Sequence, residues 1–175
     1  MPERRSSGAP SEEQPRRSAH AVWVVPALDH QLIAARIVHA AWPTLLICRA
    51  DSSPADIAHQ LGHFQTPAAA AGRGQTPDRR QRALRDFRTG RARALVASES
   101  CSVQYVLHGV RSIVHLGPPS GGATTYGALA RATERHVTPP VFVTLVVPGQ
   151  TSEMLKLMAE LNLDAAFGSP APDDL

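Results

Sequence analysis

Two arginines four residues apart, Arg131 and Arg135, close the stretch HLGPPSGGATTYGALARATER (His115 to Arg135), which passes from a strand end through a Pro/Gly loop into an alanine-rich helix. That spacing puts both guanidiniums on one helix face, and planar cations there suit an anion. A second concentration of the same chemistry lies earlier, where eight arginines fall between Arg73 and Arg93. Such a run is either a solvated helix face or a surface for phosphates, and the residues alone leave both readings open.

Other chemistries find no support. Of eight histidines only His59 and His63 stand at helical i, i+4 spacing, and no H-E-x-x-H accompanies them, so no zinc centre is expected. No G-x-S-x-G elbow activates Ser98 or Cys101 as a nucleophile. Cys48 and Cys101 are isolated and read as reduced thiols. GRGQT (Gly72 to Thr76) has the wrong spacing for a phosphate loop and lacks its lysine, and no Asp-Glu pair is present to hold magnesium. Trp23 and Trp42 adjoin strands and read as packing residues rather than base-stacking platforms.

The elements that must position these residues follow from pattern. A chain of 175 residues is one domain of ordinary size. Its formal charge of +3 weakly favours a polyanionic partner. Of the 18 basic residues only Lys156 is lysine, a skew that coding bias alone could produce. No apolar run approaches the length of a membrane span and the charged N-terminus lacks a leader's apolar segment, which gives the expectation of a soluble, cytoplasmic protein without a membrane partner. Residues 1–20 and 164–175 mix Pro, Ser and charge with little apolar surface and are expected to be disordered or flexible tails, leaving a domain over 21–163.

Within that domain AVWVVP, TLLICR, ARALVA, SIVHL and VFVTLVV are strand-like runs without polar alternation, as a sheet buried on both faces requires. HQLIAARIVHAA spaces Leu32, Ile33, Arg36, Ile37 and Ala40 as a helix face. Ser53 with Pro54, and Thr76 with Pro77, are N-cap and first-turn pairs that open two further helices. The second buries Ala83, Leu84 and Phe87 and stops at Gly90. SEMLKLMAELNL is the last helix. Alternating strands and helices predict an α/β fold with a mainly parallel sheet and helices on both faces, whose ligands meet the loops at the carboxyl ends of the strands: 49–53, 72–76, 98–108 and 117–125.

In this order and at nearly these spacings, TLLICRADSSPADIAHQL, GRGQTPDRRQRALRDFRTGRARALVASES, GVRSIVHLGPP, YGALARATER and VFVTLVVPGQ resemble the second, C-terminal RecA-like domain of DEAD-box RNA helicases over about Ala21 to Leu163. RALRDFRTGRARALVAS is the most specific piece. Gly72 to Arg80 resembles the family's loop and helix start that contact RNA backbone, where Arg80 keeps the family's arginine while Pro77 and Arg79 replace its usual glutamines. Because cations and free backbone N–H groups suit an anion, Arg49, Arg73, Arg79, Arg80 and Ser98 are expected to contact nucleic acid, and the resemblance implies that Arg131 and Arg135 are remnants of a nucleotide clamp.

The departures weigh as much as the match. After Ala97 the family has Thr-Asp, two small residues and Arg-Gly-x-Asp, whereas this chain has Ser98, Glu99, Ser100, Cys101, Ser102, Val103, Gln104, Tyr105 and Val106. The hydroxyl and one carboxylate survive, but Val106 lacks the second carboxylate and Gln104 lacks glycine's backbone freedom. In the family's His-Arg-x-Gly-Arg-x-x-Arg helix the two distal arginines neutralise the γ-phosphate. Counted from His115 without a gap, Arg131 takes the first of these places and Glu134 the second. With one inserted residue, Tyr126 matches the family's aromatic, Arg135 takes the second place and Ala132 the first. Either register keeps one arginine of two, and losing an arginine finger costs about a thousandfold or more.

The expected function is therefore that of a degenerate helicase C-terminal-like domain with weak affinity for RNA or single-stranded nucleic acid and no autonomous ATP hydrolysis. ATP and Mg enter only if a partner lobe is supplied. Two alternatives stand beside it: an interaction module that docks on a complete helicase or another protein, and half of an ATP-dependent helicase assembled in trans with a first RecA-like lobe.

Overall fold

The computed structural model describes residues 20–170 apart from 103–104, 106–108 and 137. Seven strands alternate with helices: β1 (His20–Val24), α1 (His30–Ala41), β2 (Thr44–Cys48), α2 (Pro54–His63), β3 (Ala68–Ala71), α3 (Pro77–Arg88), β4 (Ala94–Ser98), α4 (Glu99–Ser102), β5 (Ser112–Leu116), α5 (Gly122–Glu134), β6 (Val141–Val146), α6 (Thr151–Glu160) and β7 (Ala165–Gly168). All pair in parallel in one sheet of order β3-β4-β2-β5-β6-β1-β7. Every residue of β2 and β4 is buried, as their unbroken apolar runs demand.

Right-handed crossovers sort the helices by the direction in which the chain moves across the sheet. From β1 to β2 and β2 to β3 it moves toward the β3 edge; every later connection moves the other way. Accordingly α1 and α2 cover one face, where Ile33, Ile37, Ile57 and Leu61 meet Leu46, Val96, Val114 and Leu145. On the other face α3, α5 and α6 bring Phe87, Tyr126, Leu129 and Met154 against Leu45, Leu95, Ile113 and Phe142.

The capped helices begin where the sequence places them. Ser53 Oγ accepts the Asp56 N–H at 3.2 Å and Thr76 Oγ1 the Arg79 N–H at 3.4 Å, each ahead of a proline at the first position. Gly90 follows α3 at φ +75°, the left-handed turn that glycine adopts without a Cβ penalty.

Elsewhere the structure differs from expectation. In α1 the buried residues are Ile33, Ala34, Ala35, Ile37 and Val38, while Arg36 and Ala40 face solvent. The stripe turns so that the charged Arg36 escapes burial. Two strands went unanticipated. β3 is four alanines, a composition with high helix and low strand propensity. β7 lies within the segment expected to be a flexible tail, yet Ala165–Gly168 pair with His20–Trp23 of β1, which supplies backbone partners that so short a run, Ala-Ala-Phe-Gly, does not announce. β1 likewise takes in His20, at the boundary expected for the N-terminal tail. The remainder of both tails, 1–19 and 171–175, lies outside the described residues.

Candidate nucleic-acid and phosphate interface

The connections set the site. β2 sends its chain to α2 on one face, while its neighbours β4 and β5 send theirs toward the other, so a crevice opens at their carboxyl ends. A cleft of about 470 Å³ occupies it, lined by His30, Arg49, Ser52, Asp56, Gly117 and Gln150 among others. Burial lowers the pKa of His30 against the pull of the Val146 carbonyl, which leaves the ring neutral.

Arg49 extends from the end of β2 and is already engaged. Its Nη1 donates to the Pro118 carbonyl at 2.7 Å, and its Nε lies 3.4 Å from the Asp51 carboxylate. It ties the β2 loop to the β5 loop.

Glu99 follows β4 and is 5% exposed. Both of its carboxylate oxygens accept the Ser120 N–H, at 2.9 and 3.0 Å. Behind it His115 is sealed in the core, donating Nδ1–H to the Gly117 carbonyl at 2.8 Å, with Nε2 3.8 Å from Glu99 Oε1. Burial pushes the His115 pKa down to about 4, opposed by the Gly117 carbonyl and helped by Arg49, so the imidazole is neutral near pH 7. Ser98 is buried, and its hydroxyl pairs with Ser100 Oγ at 3.2 Å. The Cys48 thiol is pushed up to about 12, chiefly by burial, and is chemically quiet. Both cysteines are free thiols.

The arginine run occupies the neighbouring edge. Arg73, Arg79, Arg82, Arg85, Arg88 and Arg91 are exposed and Arg80 is half-buried; burial raises the pKa of Tyr105, and the charge of Arg80 opposes that rise only in part. Arg93 is diverted: its Nη1 donates to His39 Nδ1 at 3.1 Å, and its guanidinium covers the Trp42 ring at 5.5 Å. The α3 N-terminus offers an anion less than its position suggests. Pro77 has no N–H, Thr76 takes that of Arg79, and Asp78 brings a negative charge to the first turn. Side chains, not the helix end, dominate this surface.

Arg131 and Arg135 lie elsewhere. α5 starts beside the carboxyl-end loops and runs back toward the amino end of β6, so Arg135 at its C-cap is about 20 Å along the helix from Gly122. Arg131 folds its guanidinium over Gly127, where a Cβ would come within 3.3 Å of Nη1. The structure thus groups Arg49, Arg73, Arg79, Arg80 and Ser98 at one end of the sheet and separates Arg131 and Arg135 from them. Gln104 and Val106, the departures after β4, lie outside the described residues. The residues that sequence reading missed are Glu99 and His115 as a buried pair; the only signal was one surviving carboxylate after a strand. Tyr126 is wholly buried, stacked on Phe142 with centroids 4.9 Å apart, and its hydroxyl meets Thr144 Oγ1 at 2.9 Å.

No protein-family model matches the chain and no curated protein matches it by sequence. Solved structures do match. The C-terminal domain of S. cerevisiae Dbp5, in complex with Gle1 and IP6, superposes with a TM-score of 0.71 over 90% of this chain and 93% of that one at 14% identity. E. coli SrmB, a DEAD-box protein bound to regulator of ribonuclease activity A, gives 0.68 over 90% and 92% at 13% identity. The fold is that of a DEAD-box C-terminal RecA-like domain. A DEAD box protein of Methanococcus jannaschii gives 0.73 at 12% identity over 86% of this RecA-like lobe, which spans 42% of that protein. No helix of the described residues is long and apolar enough to cross a membrane.

Proposed function

We propose that this lobe holds the phosphate backbone of single-stranded RNA along its arginine-rich edge and by itself performs no ATP hydrolysis. One observation carries the reading: between Gly72 and Arg93 eight arginines stand against two aspartates, Asp78 and Asp86, and six of the eight are exposed, with Arg73, Arg79 and Arg82 nearest the carboxyl-end loops. A cation surface of that density gives sequence-independent, salt-sensitive affinity for a polyanion. S. cerevisiae Dbp5, which shares the fold, is known bound to RNA and ADP–BeF3, and that likeness supports RNA as the polymer.

Hydrolysis needs more than the lobe's residues offer. They include no phosphate loop, and the one arginine that either register retains on α5 stands far from the carboxyl-end loops. Nucleotide and magnesium would enter with a second lobe.

A second reading, docking on another protein, is favoured by the capture of Dbp5 with Gle1 and of SrmB with regulator of ribonuclease activity A. Fluorescence anisotropy of a labelled single-stranded RNA at two salt concentrations, with wild type and an Arg79→Ala/Arg80→Ala variant, separates the two. Micromolar binding that weakens with salt and in the variant supports RNA; no binding at low salt overturns it in favour of docking.

A further inference from the structure

On α2, Ile57 and Leu61 are buried against the sheet, and the Ser53 cap fixes the helix start. His59 and His63 project from the solvent side of the same helix, both exposed. Their rings meet edge to face with centroids 5.1 Å apart. Among the described residues neither imidazole is taken by a hydrogen bond or an ion pair. The ring nitrogens are therefore free for a ligand.

Two imidazole nitrogens that bind one ion at about 2.0–2.1 Å stand roughly 3–4 Å apart. Rings one helical turn apart and already in edge contact reach that separation by side-chain rotation alone, with the backbone unchanged. We propose that His59 and His63 form a surface two-histidine site for a late first-row divalent ion, copper(II) first. The expectation against a zinc centre concerned a closed or catalytic site, which needs three or four protein ligands and, for hydrolysis, a glutamate. A two-imidazole site needs neither. No group of three His, Cys, Asp or Glu is gathered among the described residues, so water completes the coordination and the ion exchanges. Imidazole donors and the stability order of divalent ions both favour copper over nickel and zinc, and exclude magnesium. Bound there, the ion staples one turn of α2 and stabilises the folded lobe by mass action.

The test is titration of the full chain with copper(II) chloride, followed by calorimetry and by electron paramagnetic resonance, beside His59→Ala, His63→Ala and the corresponding asparagine variants. The wild type is expected to bind one more copper ion per chain than any variant, with hyperfine coupling from two imidazole nitrogens, and each variant to lose about tenfold or more in affinity. Equal stoichiometry and an unchanged spectrum in all the proteins would overturn the site. Circular dichroism of the asparagine variants distinguishes a lost ligand from a lost fold. Magnesium chloride, the control, is expected to give no heat.

Discussion

Both carboxylate oxygens of Glu99 converge on the single N–H of Ser120, and the neutral His115 ring turns an unprotonated Nε2 toward the same carboxylate at 3.8 Å. The Nδ1 proton is spent on the Gly117 carbonyl, so Nε2 is an acceptor that faces another acceptor. The clamp holds the β4 loop to the segment that enters α5, and one of its contacts is unfavourable.

Glu99→Gln should therefore be mild. The amide oxygen can keep the Ser120 N–H while the amide N–H₂ donates to His115 Nε2, so the change is expected to cost less than about 1 kcal/mol. Glu99→Ala leaves the Ser120 N–H without its acceptor and opens a cavity, and about 2–4 kcal/mol of stability should be lost. Urea unfolding of the two variants checks this, and equal losses would rule out the acceptor-facing-acceptor arrangement.

Gly117 follows β5 at φ +85°, and a Cβ there would lie 3.2 Å from Arg49 Cδ. Alanine would add backbone strain and press on the side chain that bridges to Pro118. A loss of about 1–3 kcal/mol is expected in thermal unfolding of Gly117→Ala. Gly74→Ala, at φ +88° but with open space around it, should lose less, because only the backbone strain applies. Comparable losses would mean that the approach to Arg49 contributes nothing.

Much of this architecture was legible because the signals were local. Ser53-Pro54 and Thr76-Pro77 announce helix starts through groups within one turn, and β2 and β4 announce burial through unbroken apolar runs. β3 and β7 were hidden because their strand state comes from neighbours: four alanines become a strand only through β4, and Ala165–Gly168 only through β1. The site was half legible. Arginine density shows in the chain, but which arginines are spent depends on distant partners, such as Pro118 for Arg49 and His39 with Trp42 for Arg93.

His115 makes the fold sensitive to acid. Its pKa is 6.5 when unfolded and about 4 when buried, so between those values the unfolded chain binds a proton that the native one refuses. Stability is full above about pH 6.5 and falls as the pH drops toward 4, by up to about 3 kcal/mol from this group. His20, also lowered by burial, adds in the same direction. Unfolding midpoints measured from pH 7 to 4 should fall less steeply for His115→Asn than for wild type; parallel curves would show that other groups govern the acid limb.

The arginines should divide by their partners. Arg49, bonded to the Pro118 carbonyl and beside Asp51, is predicted to act on the fold. Arg49→Ala should lower stability by about 1–2 kcal/mol and leave the salt dependence of RNA binding nearly unchanged. Arg73, Arg79 and Arg82 are exposed on the charged edge, and each alanine variant should leave the unfolding midpoint in place. Removing one guanidinium that neutralises a phosphate should make the slope of log K against log salt shallower by about 0.7 for a single strand. Anisotropy at four or more salt concentrations measures that slope directly. If Arg49→Ala flattens it while the exposed three do not, the phosphate path runs through the carboxyl-end cleft, and the α3 edge is only a solvated face.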